Sequence, residues 1–222
     1  MIASELVVGT TLGLVSVNVG LPELIGKHRG KPITSGIRKR PISGASVEVG
    51  RTNLAGDGQA DLRVHGGPDK AVYAYPSEHL PWWNGELPRD EPFGAGSFGE
   101  NLTTAGIAEG TARIGDIWRW GSALLQICQP RYPCFKLVLA TAQPDMVKRF
   151  LASGRSGWYL RVLEAGTAPV GGPIEVIAVD AGGVTVAAAA AAALPGTGPV
   201  ARTRVAEVEA LAASWRRMVV GD

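Results

Sequence analysis

The segment "ARIGDIWRWGSALLQICQPRYPCFKL" (Ala112–Leu137) decides how the chain is read. Its first two thirds are two short apolar stretches, "ARIGDIWRWG" and "SALLQICQ", punctuated by glycine and rich in residues that favour a pleated, half-buried surface. Both read as strands. Asp116 stands at the tight turn that starts the first of them, a structural position. The last third holds both cysteines of the chain, Cys128 and Cys134, with Pro130 and Pro133 between them. Four uses of that sulfur are open: a crosslink, a metal site, a reactive thiol, or core filling.

Working outward, the same pattern recurs in "LGLVSVNVG", "ASVEVG", "QADLRVHG", "KAVYAYP" and "GWYLRVLEAG". Turn signals separate these runs: "AGDG", "HGGPD", "FGAGSFGEN" and "EAGTAPVGG". Many short strands at such spacing argue for a mainly β fold with some α, a barrel or sandwich. One helix is expected in "TAQPDMVKRFLASG", starting at Asp145 and stopped by Gly154. A shorter one is expected in "PSEHLPWWNGEL", capped by Ser77. Beyond Ala178 the composition changes. Thr185 is placed to cap an alanine-rich helix, "TRVAEVEALA" is amphipathic, and "SWRRMVV" is a third helical piece. The expected organisation is a β-barrel domain over residues 1–179 and a three-helix appendage over 180–222.

A chain of 222 residues can bury a real core without disulfides or a structural metal. No segment approaches the ~20 apolar residues of a membrane helix. The N-terminus has no basic region of the kind that opens a signal peptide, and two cysteines make no secretory framework. The expectation is a cytoplasmic protein with no membrane partner. A net charge of +2 gives no support for binding a nucleic-acid polymer. One local exception, "GIRKRPISG" (Gly36–Gly44), places three basic residues in a row, as either a solvated turn or a small anion site.

Cys134 follows Pro133 and lies close to Arg131 and Lys136. Cationic neighbours favour the thiolate, the form that attacks electrophiles and binds metals. Cys128 sits inside "LLQIC", where cysteine behaves as a small buried hydrophobe. No CxxC or HxxxH accompanies either, so there is no zinc pattern, and a reducing cytoplasm disfavours a Cys128–Cys134 disulfide. In "GDGQADLRVHGGPDKAVYAY", His65 enters a Gly-Gly-Pro turn whose N–H groups suit an anion, with Lys70 adding a charge. The competing reading is a hairpin turn with a structural histidine. In "GSFGENLTT", Glu100 and Asn101 occupy a glycine-rich turn, and the competing reading has Asn101 bonding its own backbone. A barrel can bring such loops to one mouth around a single anionic ligand.

"GDGQADLRVHGGPDKAVYAYPSEH", "GSFGENLTT", "IGDIWRWG" and "QPRYPCFKL" occur in that order, at suitable spacing, in the YiiM-like branch of the MOSC-domain family. The family is named after the C-terminal domain of molybdenum-cofactor sulfurase. The chain resembles it over about Leu12–Val179, "IRKRPISGASVEV" resembles its first barrel motif, and the helical tail is similar to a three-helix segment of bacterial relatives. The resemblance implies a MOSC-type β-barrel with a few short helices. It implies binding of molybdenum cofactor (molybdopterin), a pterin dithiolene carrying a phosphate. Cys134 matches the family's cysteine, whose thiolate would ligate molybdenum. Lys39, Arg40, His65, Lys70, Asn101 and Arg131 fall in the family's cofactor-pocket motifs, and Lys136 beside Cys134 is a further cofactor-binding candidate. The chain departs from its relatives at Cys128, where they often carry serine. Relatives are linked to resistance against N-hydroxylated bases such as hydroxylaminopurine. The implied reaction is two-electron reduction of N–OH to N–H in a small N-hydroxylated substrate. Electrons would come from an external electron-donor protein, since the chain has no iron–sulfur cysteine set and no GxGxxG. The alternative is a non-redox carrier of the cofactor or of sulfur, with a persulfide on Cys134. The expected assembly is a monomer or homodimer.

Overall fold

Seven strands close into a barrel because the first of them pairs with the strands at both ends of the sheet formed by the other six. The computed structural model describes residues 4–61 and 66–221. Its strands are β1 (Ser4–Val19), β2 (Glu23–His28), β3 (Lys31–Ser35), β4 (Arg40–Pro41), β5 (Ser46–Val49), β6 (Val72–Pro76), β7 (Leu102–Ala105), β8 (Ile117–Trp120), β9 (Ala123–Pro130), β10 (Trp158–Glu164), β11 (Gly166–Pro169) and β12 (Pro173–Asp180). The order around the barrel is β12-β8-β9-β10-β6-β7-β1, and β1 pairs again with β12. β1 is long enough to do both: Ser4 to Gly13 lie along β12, while Gly13 to Val17 lie along β7. Neighbours in the barrel are antiparallel except β6 and β7. A parallel pair needs a crossover, and the crossover here carries α1 (His79–Glu86) and the glycine-rich loop before β7. β8 and β9 form a hairpin through Gly121 and Ser122, with Trp120 opposite Ala123. Gly121 has φ +61°, and a Cβ there would lie 2.4 Å from the Thr167 carbonyl oxygen, so the turn admits only glycine.

Strand alternation divides the buried side chains between two cores. β6 is buried along its whole length. Val72 and Ala74 point into the barrel with Trp118, Trp120, Leu125, Ile127 and Trp158. Tyr73 and Tyr75 point out, against Trp83, Phe93, Phe98 and Phe150. α1 supplies Trp83 to that outer core, α2 (Phe135–Thr141) supplies Leu137, and α3 (Met146–Ser153) supplies Met146 and Phe150. The C-terminal helices α4 (Val186–Ala192), α5 (Pro199–Ala206) and α6 (Ala213–Val220) have no core of their own. Val186, Ala189, Val205, Trp215 and Val219 belong to the same cluster as the barrel interior. The Ala212 N–H donates to the Cys128 carbonyl at 2.9 Å, tying α6 to β9.

The mainly β barrel with short helices stands as expected. Thr185 caps α4, accepting the Ala188 N–H at 3.1 Å, and Gly154 ends α3 in the left-handed region. One local expectation needs correction, one helix was not foreseen, and one expected strand goes untested. The sequence from Phe135 to Thr141 is helical, which its seven residues were too few to signal by period. Glu78, not Ser77, precedes α1 at the cap position, and its carboxylate accepts the Gly106 N–H at 2.6 Å instead of capping the helix. Half of the expected strand "QADLRVHG", residues 62–65, lies outside the described residues. Among the described residues no helix is long and apolar enough to cross a membrane.

Candidate functional site

β9 leaves the barrel at Pro130, and the chain takes four residues to enter α2 at Phe135. Cys134 holds the cap position of α2 in an extended conformation, with φ −132° and ψ 174°. Its side chain makes no capping bond, although this is the place where Ser, Thr, Asp or Asn serve a helix best. Capping therefore does not explain the cysteine. The thiol is half-buried and opens on a cleft of about 80 Å³ at the barrel mouth. Four cations line that cleft, Lys39, Lys70, Arg131 and Lys136, and among the described lining residues they face one carboxylate, Asp57. Tyr73, Tyr159 and Phe98 supply its aromatic wall.

Each polar group is held by a different element. Lys70 ends the 3-10 turn Pro68–Lys70, which docks on two strands. The Asp69 carbonyl accepts Gln129 Nε2 at 2.8 Å and Cys128 Sγ at 3.2 Å, and its carboxylate accepts Arg161 Nε at 2.9 Å. Burial lowers the Lys70 ammonium below its usual value, and Cys134 close by pulls it partly back. Lys39 is paired with Asp57 in a nearly dry setting, the two side chains 7% and 0% exposed. Burial lowers Lys39 as well, with Asp57 opposing. Asp57 is itself fixed by the Gly20 N–H at 2.9 Å and by Asn101 Nδ2 at 2.9 Å. Asn101 spans the site: its Oδ1 accepts the Tyr73 N–H at 3.1 Å, and Nδ2 also reaches the Asn18 carbonyl at 3.2 Å. It braces three segments and does not form the Asx turn that its context suggested.

Beneath Asn101, buried Glu100 accepts the Gly96 N–H at 2.7 Å, the Phe98 N–H at 3.0 Å and the Thr103 hydroxyl at 3.0 Å. Burial raises Glu100, those bonds offsetting it in part. The glycines let the loops close on one another. A Cβ on Gly36 would lie 2.1 Å from the Gly58 carbonyl oxygen. Gly99, at φ +82°, would place one 2.8 Å from Ile37.

Arg131 is 6% exposed, and its guanidinium lies between two rings, 5.1 Å from the centre of Tyr73 and 5.2 Å from that of Phe150. Its Nη1 is buried with no hydrogen-bond partner among the described residues, an arrangement that costs stability unless a ligand accepts the bond. Burial raises the Tyr159 hydroxyl, with Arg131 opposing. Cys128 differs in every respect from Cys134. It is fully buried, donates to the Asp69 and Tyr159 carbonyls, and has its thiol pushed up to about 12 by burial.

Of the residues singled out in the sequence, Lys39, Lys70, Asn101, Arg131, Cys134 and Lys136 come together around this cleft. Arg40 is exposed on β4 and does not line it. His65 lies outside the described residues. Asp57, Tyr73 and Tyr159 were missed. Asp57 sat in "AGDG", which reads as a turn, and the two tyrosines sat in strands that read as core. For Tyr73 the alternation Tyr73, Tyr75 against Val72, Ala74 was the available signal.

Residues 61–175 match the family model of the MOSC domain. The chain belongs to the MOSC domain family. It is 44% identical over 173 residues to YflK of Bacillus subtilis (strain 168), covering 78% of this chain and 76% of that protein. The crystal structure of YiiM from Geobacillus stearothermophilus is similar with a TM-score of 0.77 and 35% identity, covering 95% of this chain and 98% of that one. A protein named "Reductase" from Gibberella moniliformis (strain M3125 / FGSC 7600) is 37% identical over 150 residues, which is 67% of this chain and 26% of that larger protein.

Proposed function

We propose that this protein binds molybdenum cofactor through Cys134 and reduces N-hydroxylated compounds. The observation that carries the reading is the setting of Cys134: a thiol opening on a cleft where, among the described residues, four cations face one carboxylate. A soft thiolate suits a sulfur-rich metal centre, and clustered cations beside glycine loops suit a phosphate and a polar pterin. The unpartnered Arg131 Nη1 is a donor awaiting an acceptor. Among the described residues no group of three or more His, Cys, Asp or Glu side chains could hold a metal ion, so a metal at Cys134 brings further ligands with it. Membership of the MOSC family and the name of the fungal relative agree with this reading.

When bound, the cofactor supplies the two-electron redox chemistry. The balance is R–NHOH + 2 e⁻ + 2 H⁺ → R–NH₂ + H₂O, with the electrons drawn from an external reduced flavin or iron–sulfur protein. Lys70, Lys136 and Arg131 hold the anionic groups. Lys39, kept in place by Asp57 and lowered by burial, gives up a proton from Nζ more readily than an exposed lysine and serves the departing oxygen. Protein made with ample cofactor is expected to contain molybdenum and to reduce hydroxylaminopurine. Cys128→Ser is expected to keep both properties and Cys134→Ser to lose both. Retention of molybdenum and turnover in Cys134→Ser would overturn the proposal. Sulfane sulfur on Cys134 without turnover from an artificial donor would favour a sulfur carrier.

A further inference from the structure

A second cavity adjoins the cationic cleft and differs from it in size and character. It has a volume of about 250 Å³, and its walls are mostly apolar. It lies between the end of α3, with Phe150, and the exposed side of α4, with Trp215 at its base. Arg131 and Tyr132 line both cavities. The Arg131 guanidinium links the two, 5.1 Å from the ring centre of Tyr73 in the cleft and 5.2 Å from that of Phe150 in the groove. Tyr132 is 47% exposed, and its ring tilts toward Trp215 at 6.3 Å.

The α4 wall explains the alanine run. A helix face turned to solvent ordinarily carries charged or polar residues, yet here Ala187 and Ala191 are exposed and line the groove. Larger side chains there would fill it. The result is a mostly apolar groove whose lining includes Tyr132, Phe150 and Trp215, walls that suit an aromatic ring system. Arg131 lines both cavities, its Nη1 is a buried donor without a hydrogen-bond partner among the described residues, and a ring nitrogen or a hydroxylamino oxygen is an acceptor for it.

We propose that the groove between α3 and α4 is the subsite for the flat heteroaromatic body of the substrate, whose N-hydroxyl end enters the Cys134 cleft past Arg131. The proposal rests on the N-hydroxyl reductase reading for its reaction but not for its binding. It makes the protein selective for N-hydroxylated heteroaromatic bases over small aliphatic hydroxylamines.

The test fills the groove from its solvent side with Ala191→Trp, and independently with Ala187→Trp. Each is expected to lower the ratio of kcat/KM for hydroxylaminopurine to that for N-methylhydroxylamine at least tenfold, with reduced methyl viologen as electron source. Adenine, the reduced product, is expected to bind cofactor-free wild-type protein in ligand-observed NMR and to bind both variants at least tenfold more weakly. An unchanged ratio, or equal adenine binding by wild type and a folded variant, overturns the proposal. So does a loss confined to turnover driven by a protein donor, which would make the groove a docking face. If loaded wild type reduces neither compound, the reductase reading fails while adenine binding still decides the groove.

Discussion

Cys128 and Cys134 stand six residues apart in the chain and in opposite environments. Burial keeps the Cys128 proton on in the folded state. Its contribution to stability is fully present below pH 9.0, where the unfolded thiol is still protonated, and is lost as pH climbs toward about 12. Within that window wild type should lose about 1.4 kcal/mol per pH unit relative to Cys128→Ala, measured by urea unfolding at a series of alkaline pH values. The Lys39–Asp57 pair makes a second prediction. Asp57→Ala leaves an unpaired charge in a nearly dry site and should cost about 3–5 kcal/mol in the same measurement. Adding Lys39→Met to that variant, which removes the stranded charge, should recover part of the loss. The sequence separated the two thiols by their neighbours, apolar for one and cationic for the other. It could not show Lys39 paired with Asp57, because that pair joins two turns and depends on how they close.

Elements whose cause is local were legible. Thr185 before an alanine run caps α4 as expected, and Thr185→Ala should cost about 1 kcal/mol, read as a lowered Tm. Elements whose cause is tertiary were not. α2 is held by Leu137 in the outer core and by His28 of β2 stacked on Phe135 at 4.2 Å, contacts that no seven-residue window contains. The glycines of the site were visible as turns, but their close approach was not. Gly36→Ala would press a methyl group against the Gly58 carbonyl and displace the loop that carries Lys39. A loss of about 1–3 kcal/mol is expected, together with weaker retention of molybdenum by elemental analysis.

Composition changes near residue 180, and the elements after β12 are helices. It could not reveal that both sides share one core, since alanine and valine on a helix look alike whether they face a neighbouring helix or a barrel. The buried cluster runs from Trp118 through Ile127 to Trp215 and Val219 without a break. A chain ending at Asp180 is therefore expected to lose cooperative thermal unfolding, and a sharp transition retained in that truncation would count against a shared core. The barrel itself was legible as a list of strands, but not the double pairing of β1, which no local pattern encodes. That pairing has a consequence for how the molecule forms. β1 leaves the ribosome long before its partner β12, with the rest of the barrel between them. Until β12 emerges, one edge of β1 stays open, and the ring closes across nearly the whole sequence. Such closure is slow, and the waiting edge is where a nascent chain is exposed to aggregation and to capture by chaperones.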